Sequence, residues 1–215
     1  DEMKKAKYEV MKANNLKNCY IRPFAFLGCE MGLQGTGVPV NTVISAWEWG
    51  AYFGEDKMKG LNFNIAEYRR PDPKTAPSKA KAAGLYMICT ISKNKATSEG
   101  YDDSLMLDYR GYISEATAAN IFFFMKDGKL HTPKPDCFLN GITRQTVIQL
   151  AKNIGIDVVE RHIELDELKD AVECFVTGTA SEVMPVRQID NKYKFTPGKL
   201  CEKIINEYDK AVGKI

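Results

Sequence analysis

Four short stretches of this 215-residue chain hold side chains whose types and spacing suit chemistry. The first, AKAAGLY, sets Lys81 ahead of Tyr86 and follows a second lysine, Lys79. A lysine amine becomes a nucleophile only where its surroundings keep it neutral part of the time; otherwise either lysine is an ordinary solvated charge. The second stretch, GYISEATAANIF, ends a strand on Ser114-Glu115 and runs into another apolar segment, which argues that Glu115 is buried beside something cationic. The third, LNGITR, puts Gly141 at a helix start, where the amides of Ile142 and Thr143 would suit a phosphate. Asn140 fits equally as the cap of that helix. The fourth, VTGTASE, places Thr179 and Ala180 at a strand end and by itself is a plain turn.

Composition removes several chemistries. The net charge is +2, with no basic stripe for a nucleic acid and no acidic tail. No apolar run approaches the roughly 18 residues that cross a membrane, and the charged start DEMKKAKYEV is not a signal peptide. The two histidines, His131 and His162, have no second ligand at metal spacing, which argues against a zinc site and against a Ser-His-Asp triad. The six cysteines show no CxxC and mostly sit in apolar company, as buried thiols of a reducing compartment would.

The elements that must position these residues follow from periodicity and turn chemistry. Residues 1–16 read as a helix ending on an Asn pair, and 19–28 as a strand in which Pro23 implies an edge or a bulge. A glycine-rich loop precedes a second strand at 42–54, and the polar segment 55–60 reads as an inter-domain linker. Residues 61–70 form a strand and 71–79 a proline-rich loop. A helix follows over 82–95, with Leu85, Ile88 and Cys89 on one face and Ser92 off it. Then come strand, turn and strand (104–116), a hairpin (120–133) turning at Asp127-Gly128, and the clearest helix of the chain (140–155), capped by Gly155. Strands at 157–163, 173–180 and 184–190 and a terminal helix at 197–212 complete a mixed α/β arrangement. Its order is not the regular alternation of a doubly wound sheet.

In this order, and with CYIRP at 19–23 and WGAY at 49–52, the four stretches resemble the class IV (fold type IV) pyridoxal-phosphate enzymes, and among them the branched-chain amino acid aminotransferases. The resemblance runs from about Leu16 to the end. It implies an α/β fold of α+β type, with a large pseudo-barrel domain at 61–215 and, at 1–54, the second half of a small N-terminal domain. It implies pyridoxal 5'-phosphate as cofactor and transamination between branched-chain L-amino acids and 2-oxoglutarate. Lys81, rather than Lys79, then holds the cofactor and moves the substrate proton. Tyr86 hydrogen-bonds the cofactor's 3-oxygen, and Glu115 keeps its ring nitrogen protonated. Leu139, Gly141, Ile142, Thr143 and Thr179 surround the phosphate. The amides of Thr179 and Ala180 take the substrate α-carboxylate, and Tyr20, Arg22, Trp49 and Tyr52 enclose the substrate side chain. Leu33 matches a position that reaches into a partner subunit, so a cytoplasmic homodimer or higher homo-oligomer is implied, with neither metal nor nucleic acid nor membrane as partner.

Two departures stand out against the family pattern. Ala119 stands where enteric-type members carry a glutamate, which bears on polarity near the ring and not on the reaction. Family members also begin with more of the small domain, so the chain is expected to be part of a longer polypeptide and inactive alone. Aminodeoxychorismate lyases and D-amino acid aminotransferases of the same fold would keep Lys81 and Glu115, although YIRP, WGAY and LNGITR argue against both. A non-catalytic fragment or pseudoenzyme is the reading of another class.

Overall fold

The computed structural model describes residues 1–28, 32–50 and 56–214. The chain divides into two compact units, Asp1–Tyr52 and Phe53–Ile215. The first unit holds helix α1 (Glu2–Ala13), which packs on an antiparallel pair of strands, β1 (Tyr20–Leu27) and β2 (Val40–Trp47). α1 stops at Asn14, whose side-chain amide donates to the Val10 carbonyl at 2.9 Å, and Asn15 turns the chain with a φ of 54°. Pro23 sits opposite Ile44 in unbroken register, and in a two-stranded sheet both strands are edges, so its missing N–H is tolerated. β2 begins inside the segment expected to be loop and its pairing ends at Trp47. Residues 48–50 are irregular, and 51–55 lie outside the described residues.

Among the described residues the second unit holds nine strands: β3 (Leu61–Ile65), β4 (Asp103–Leu107), β5 (Ile113–Ala116), β6 (Asn120–Met125), β7 (Leu130–Pro133), β8 (Val158–Arg161), β9 (Ala171–Gly178), β10 (Glu182–Ile189) and β11 (Tyr193–Lys194). Pairing runs β10-β3-β4-β5-β6 and returns through β9, which bonds both β6 and β10, so six strands close a ring. β7 and β8 extend from β6, and β11 from β10. Closure removes the free edges of the ring strands.

The run NIFFFM shows how the core is divided. Ile121 and Phe123 join Phe63, Leu105, Val176 and Val186 in a core drawn from all the ring strands. Phe122 faces the other way, to Phe175, Val147, Ala151 and Ile204, under the helices α3 (Ile142–Asn153) and α4 (Lys199–Ala211). A strand covered on both faces reads as continuous apolar sequence rather than alternation.

Several local expectations are corrected. The helix foreseen at 82–95 is a 3-10 turn, Ala83–Tyr86, followed by α2 (Met87–Ser98). Leu85 and Ile88 are half-buried and Cys89 is buried, so these three keep the inward face expected of them. The buried face is Cys89, Ser92 and Ala96, and the Ser92 carbonyl accepts the Ser104 hydroxyl at 3.2 Å. Asn140 does not cap α3: its side-chain oxygen accepts from Arg144 at 2.8 Å, and Gly141 holds the cap position. The other end closes as expected: Gly155 follows Ile154 at a φ of 79°, and the Ile156 N–H donates back to the Ala151 carbonyl at 2.9 Å. Strand 61–70 ends at Ile65, and a 3-10 helix at Leu165–Asp170, closed by a capping box of Glu164 and Glu167, was not foreseen. Cys89, Cys137, Cys174 and Cys201 are buried free thiols and Cys19 is half-buried; Cys29 lies outside the described residues. Among the described residues no helix is long and apolar enough to cross a membrane.

Candidate active site

The tight β5–β6 hairpin places Glu115 and Asn120 directly opposite each other. Register carries the row outward, from Met106 on β4 through Glu115 and Asn120 to Thr177 on β9 and Val183 on β10. Cross-strand partners share a face, so this row is one surface of the barrel wall. Glu115 is only 7% exposed. Its Oε1 lies 3.1 Å from Nη2 of the buried Arg70, and its Oε2 accepts from Asn120 Nδ2 at 3.1 Å. Burial pushes the Glu115 carboxyl up to about 7, while Arg70 and then Lys81 pull it back. Arg70 is delivered by its backbone N–H, which donates to the Leu107 carbonyl at 2.8 Å, and its Nη1 donates to Cys89 Sγ at 3.1 Å. Burial also raises the Cys89 thiol, with Arg70 opposing it.

Lys81 is exposed, and its Nζ donates to the Tyr86 hydroxyl at 2.9 Å. Ala82 is extended and the 3-10 turn after it brings Tyr86 back over the lysine, whose Nζ lies 5.2 Å from the ring centroid. A Cβ on Gly84 would meet open space.

The start of α3 has no side-chain cap. The amides of Ile142 and Thr143 therefore have no carbonyl partner inside the helix. Ile142 is exposed at 83%, while Thr143 is buried. The loop before the helix is held from below: Asn120 Nδ2 donates to the Leu139 carbonyl at 2.9 Å, and Gly141 N–H donates to Asn120 Oδ1 at 3.1 Å. A Cβ on Gly141 would collide with that oxygen, so the close approach requires glycine. Thr179 (exposed) and Ala180 (half-buried) lie in the 179–181 turn between β9 and β10. Near it the hydroxyls of Thr177 and Ser181 are buried without a partner, and a Cβ on Gly178 would fall 2.8 Å from Ser181 Oγ.

In the first unit the Tyr20 ring packs against Trp49 at 4.5 Å and Trp47 at 5.2 Å, and Arg22 is exposed on β1. Leu33 is fully exposed, and Tyr52 lies outside the described residues. Within the second unit the structure gathers Glu115, Leu139 and Gly141 around Asn120, and pairs Lys81 with Tyr86. Arg70 and Asn120 were missed from sequence. Nothing in YRRP tells which arginine is buried, whereas Asn120 was findable as the residue facing Glu115 across a short hairpin. Elsewhere Asp108, Asp136 and Cys137 cluster, but the Arg110 guanidinium bridges the two carboxylates at 2.6 and 3.0 Å and fills the place of a cation.

With this geometry in hand, the family match is direct: the model of the Amino-transferase class IV family covers residues 1–189, and the chain belongs to that family. It is 40% identical over 220 residues to the branched-chain-amino-acid aminotransferase of Pseudomonas aeruginosa, covering 100% of this chain and 71% of that protein. Among solved structures it is similar to the branched-chain aminotransferase of Thermoproteus uzoniensis with norvaline, with a TM-score of 0.92 and 34% identity over 98% of this chain and 70% of that one. It is also similar to the PLP-form of the enzyme from Thermobaculum terrenum, with a TM-score of 0.87 and 27% identity over 97% and 69%.

Proposed function

We propose that this chain carries out pyridoxal-5'-phosphate-dependent transamination between branched-chain L-amino acids and 2-oxoglutarate. The observation that carries the reading is the Glu115 carboxylate, buried against Arg70 and within the field of Lys81, beside a helix start left without a side-chain cap. The residues fit the cofactor. A buried carboxyl raised to about 7 suits a partner that is itself a titrating cation, such as a pyridinium. An uncapped first turn suits a phosphate. Bound there, pyridoxal phosphate would supply an electron sink for charge developing at the substrate Cα.

Each side chain then has a task. Lys81 Nζ would hold the cofactor and serve as the base and acid for the proton at the substrate Cα. Tyr86, 2.9 Å from that amine, orients it and would hydrogen-bond the cofactor's 3-oxygen. Glu115 would pair with the ring nitrogen. Leu139, Gly141, the amides of Ile142 and Thr143, and Thr179 receive the phosphate, and the amides of Thr179 and Ala180 the substrate α-carboxylate. Tyr20, Trp49 and Tyr52 enclose an aliphatic side chain, and Arg22 admits the second carboxylate of glutamate. The names of the relatives support the branched-chain preference.

In the same reading 1–54 belongs to the family's smaller domain, 55–60 is a linker and 61–215 binds the cofactor. Exposed Leu33 supports a homodimer, and the free thiols support the cytoplasm. The protein, extended to the length of its relatives and supplied with the cofactor, is expected to form glutamate from L-leucine and 2-oxoglutarate. Transfer from D-alanine instead, or pyruvate release from aminodeoxychorismate, would overturn the reading.

A further inference from the structure

We propose that Asn120 is a positioning residue that sets the two ends of the cofactor site against each other, holding the Glu115 carboxylate with one face of its amide and the 139–141 loop with the rest. The inference rests on the cofactor reading above. The amide is only 5% exposed, and three bonds fix its orientation. Nδ2 faces two acceptors, Glu115 Oε2 at 3.1 Å and the Leu139 carbonyl at 2.9 Å, while Oδ1 faces a donor, the Gly141 N–H at 3.1 Å. The flipped amide would set its NH2 against an N–H and its oxygen against two acceptors, so one assignment satisfies the site.

Three further observations make this an alignment device and not simply a satisfied buried amide. Arg70 takes Oε1 of Glu115 and Asn120 takes Oε2, so the carboxylate plane is pinned from both sides. Asn120 begins β6 in register with Glu115 on one side and Thr177 on the other, which places it on the rigid barrel wall. Gly141 approaches so closely that any Cβ would collide with Asn120 Oδ1, so the loop's height above the sheet is set by this side chain. A shift of the loop would move the open amides of α3 relative to Glu115, and a rigid cofactor would then fit one end or the other.

The chemistry of substitution is specific. Asn120→Ala removes all three bonds. Asn120→Asp keeps the shape and the acceptor for Gly141, but cannot donate to Glu115 or Leu139 and sets a second negative charge beside the carboxylate. The test uses the full chain, with and without cofactor, as wild type, Asn120→Ala, Asn120→Asp, Glu115→Gln and the Glu115→Gln/Asn120→Asp double variant. Pyridoxal phosphate and phosphate-free pyridoxal are titrated into each, and the Glu115 carboxyl is titrated by carbon-13 NMR in the cofactor-free protein.

In both single Asn120 variants the Glu115 midpoint is expected to move up in pH, further for Asn120→Asp. Affinity for pyridoxal phosphate should fall roughly tenfold to a hundredfold. The advantage of pyridoxal phosphate over pyridoxal should shrink in Asn120→Ala, because the loop is freed. The Asn120→Asp penalty should shrink in the Glu115→Gln background, where the like-charge contact is gone. If Asn120→Asp does not fold, Asn120→Ala carries the same comparison. Variants that bind pyridoxal phosphate like the wild type, with the Glu115 midpoint unmoved, would overturn the inference and leave the function standing. A wild-type chain that takes up no pyridoxal phosphate would overturn the function itself.

Discussion

Lys79 and Lys81 differ by a single intervening alanine, yet only Lys81 is set against a tyrosine hydroxyl and close enough to Glu115 to lower its pKa. Replacing Lys81 by alanine should abolish a borohydride-reducible link between protein and cofactor, whereas Lys79→Ala should keep it; a labelled peptide carrying the cofactor on Lys79 would reverse the assignment. Glu115→Gln keeps the size and removes the charge, and turnover should fall on the order of a hundredfold, about 2.7 kcal/mol of barrier. The same carboxyl sets a pH dependence without cofactor. Folded, it keeps its proton up to about 7, against an ordinary value of 4.5. Between those values the folded protein binds more protons than the unfolded chain, so stability falls as the pH rises through the window and is level above it. The span is on the order of 3 kcal/mol. Urea midpoints of the cofactor-free protein should show the fall, and Glu115→Gln should remove it.

Elements are joined here by side chains that cap across the fold. α4 starts at Gly198, which offers no side chain, and the cap comes from Glu173 on β9. Its Oε2 accepts from the amides of Gly198 at 3.0 Å and Cys201 at 2.8 Å, and its Oε1 from Leu200 at 3.2 Å. The carboxylate also meets the positive end of the helix. Glu173→Ala should cost about 1–2 kcal/mol in urea unfolding, with Glu173→Gln costing less. Equal midpoints for the alanine variant and the wild type would mean that water caps the helix as well. At α3 the sequence signal for a cap was misplaced, because Asn140 is drawn to Arg144 and the amides stay open. An uncapped helix start inside a well-packed unit is where local preference yields to a ligand site.

At the scale of the molecule, the barrel depends on β9 bonding two strands that are far apart in the chain. Phe175 on β9 stacks on Phe122 of β6 at 5.0 Å, beneath α3 and α4. Both rings are fully buried. Phe122→Ala should therefore destabilise the second unit by about 3–5 kcal/mol, read by denaturant unfolding. A loss below about 1 kcal/mol would mean that the helices collapse into the space.

The identity and rough extent of most elements were legible in the sequence, because hydrophobic period and turn residues act over a few neighbours: the hairpin at Asp127-Gly128, α3, and the strand run NIFFFM all read directly. The family was legible too, through the types and order of the four stretches. What the sequence left open was set by contacts between distant segments. Ser92 is buried on the inner face of α2, where its backbone carbonyl accepts the Ser104 hydroxyl of β4 while its own hydroxyl has no partner. Arg70 is buried and not solvated like Arg69, because Glu115 and Cys89 arrive from two other elements to receive its charge. Asn120 gains its role only when the chain returns at 139–141 to lie against it. A charge or amide is costly to bury alone and stable when paired. Which polar residues end up inside is therefore decided by the fold that supplies their partners, and no local pattern announces it.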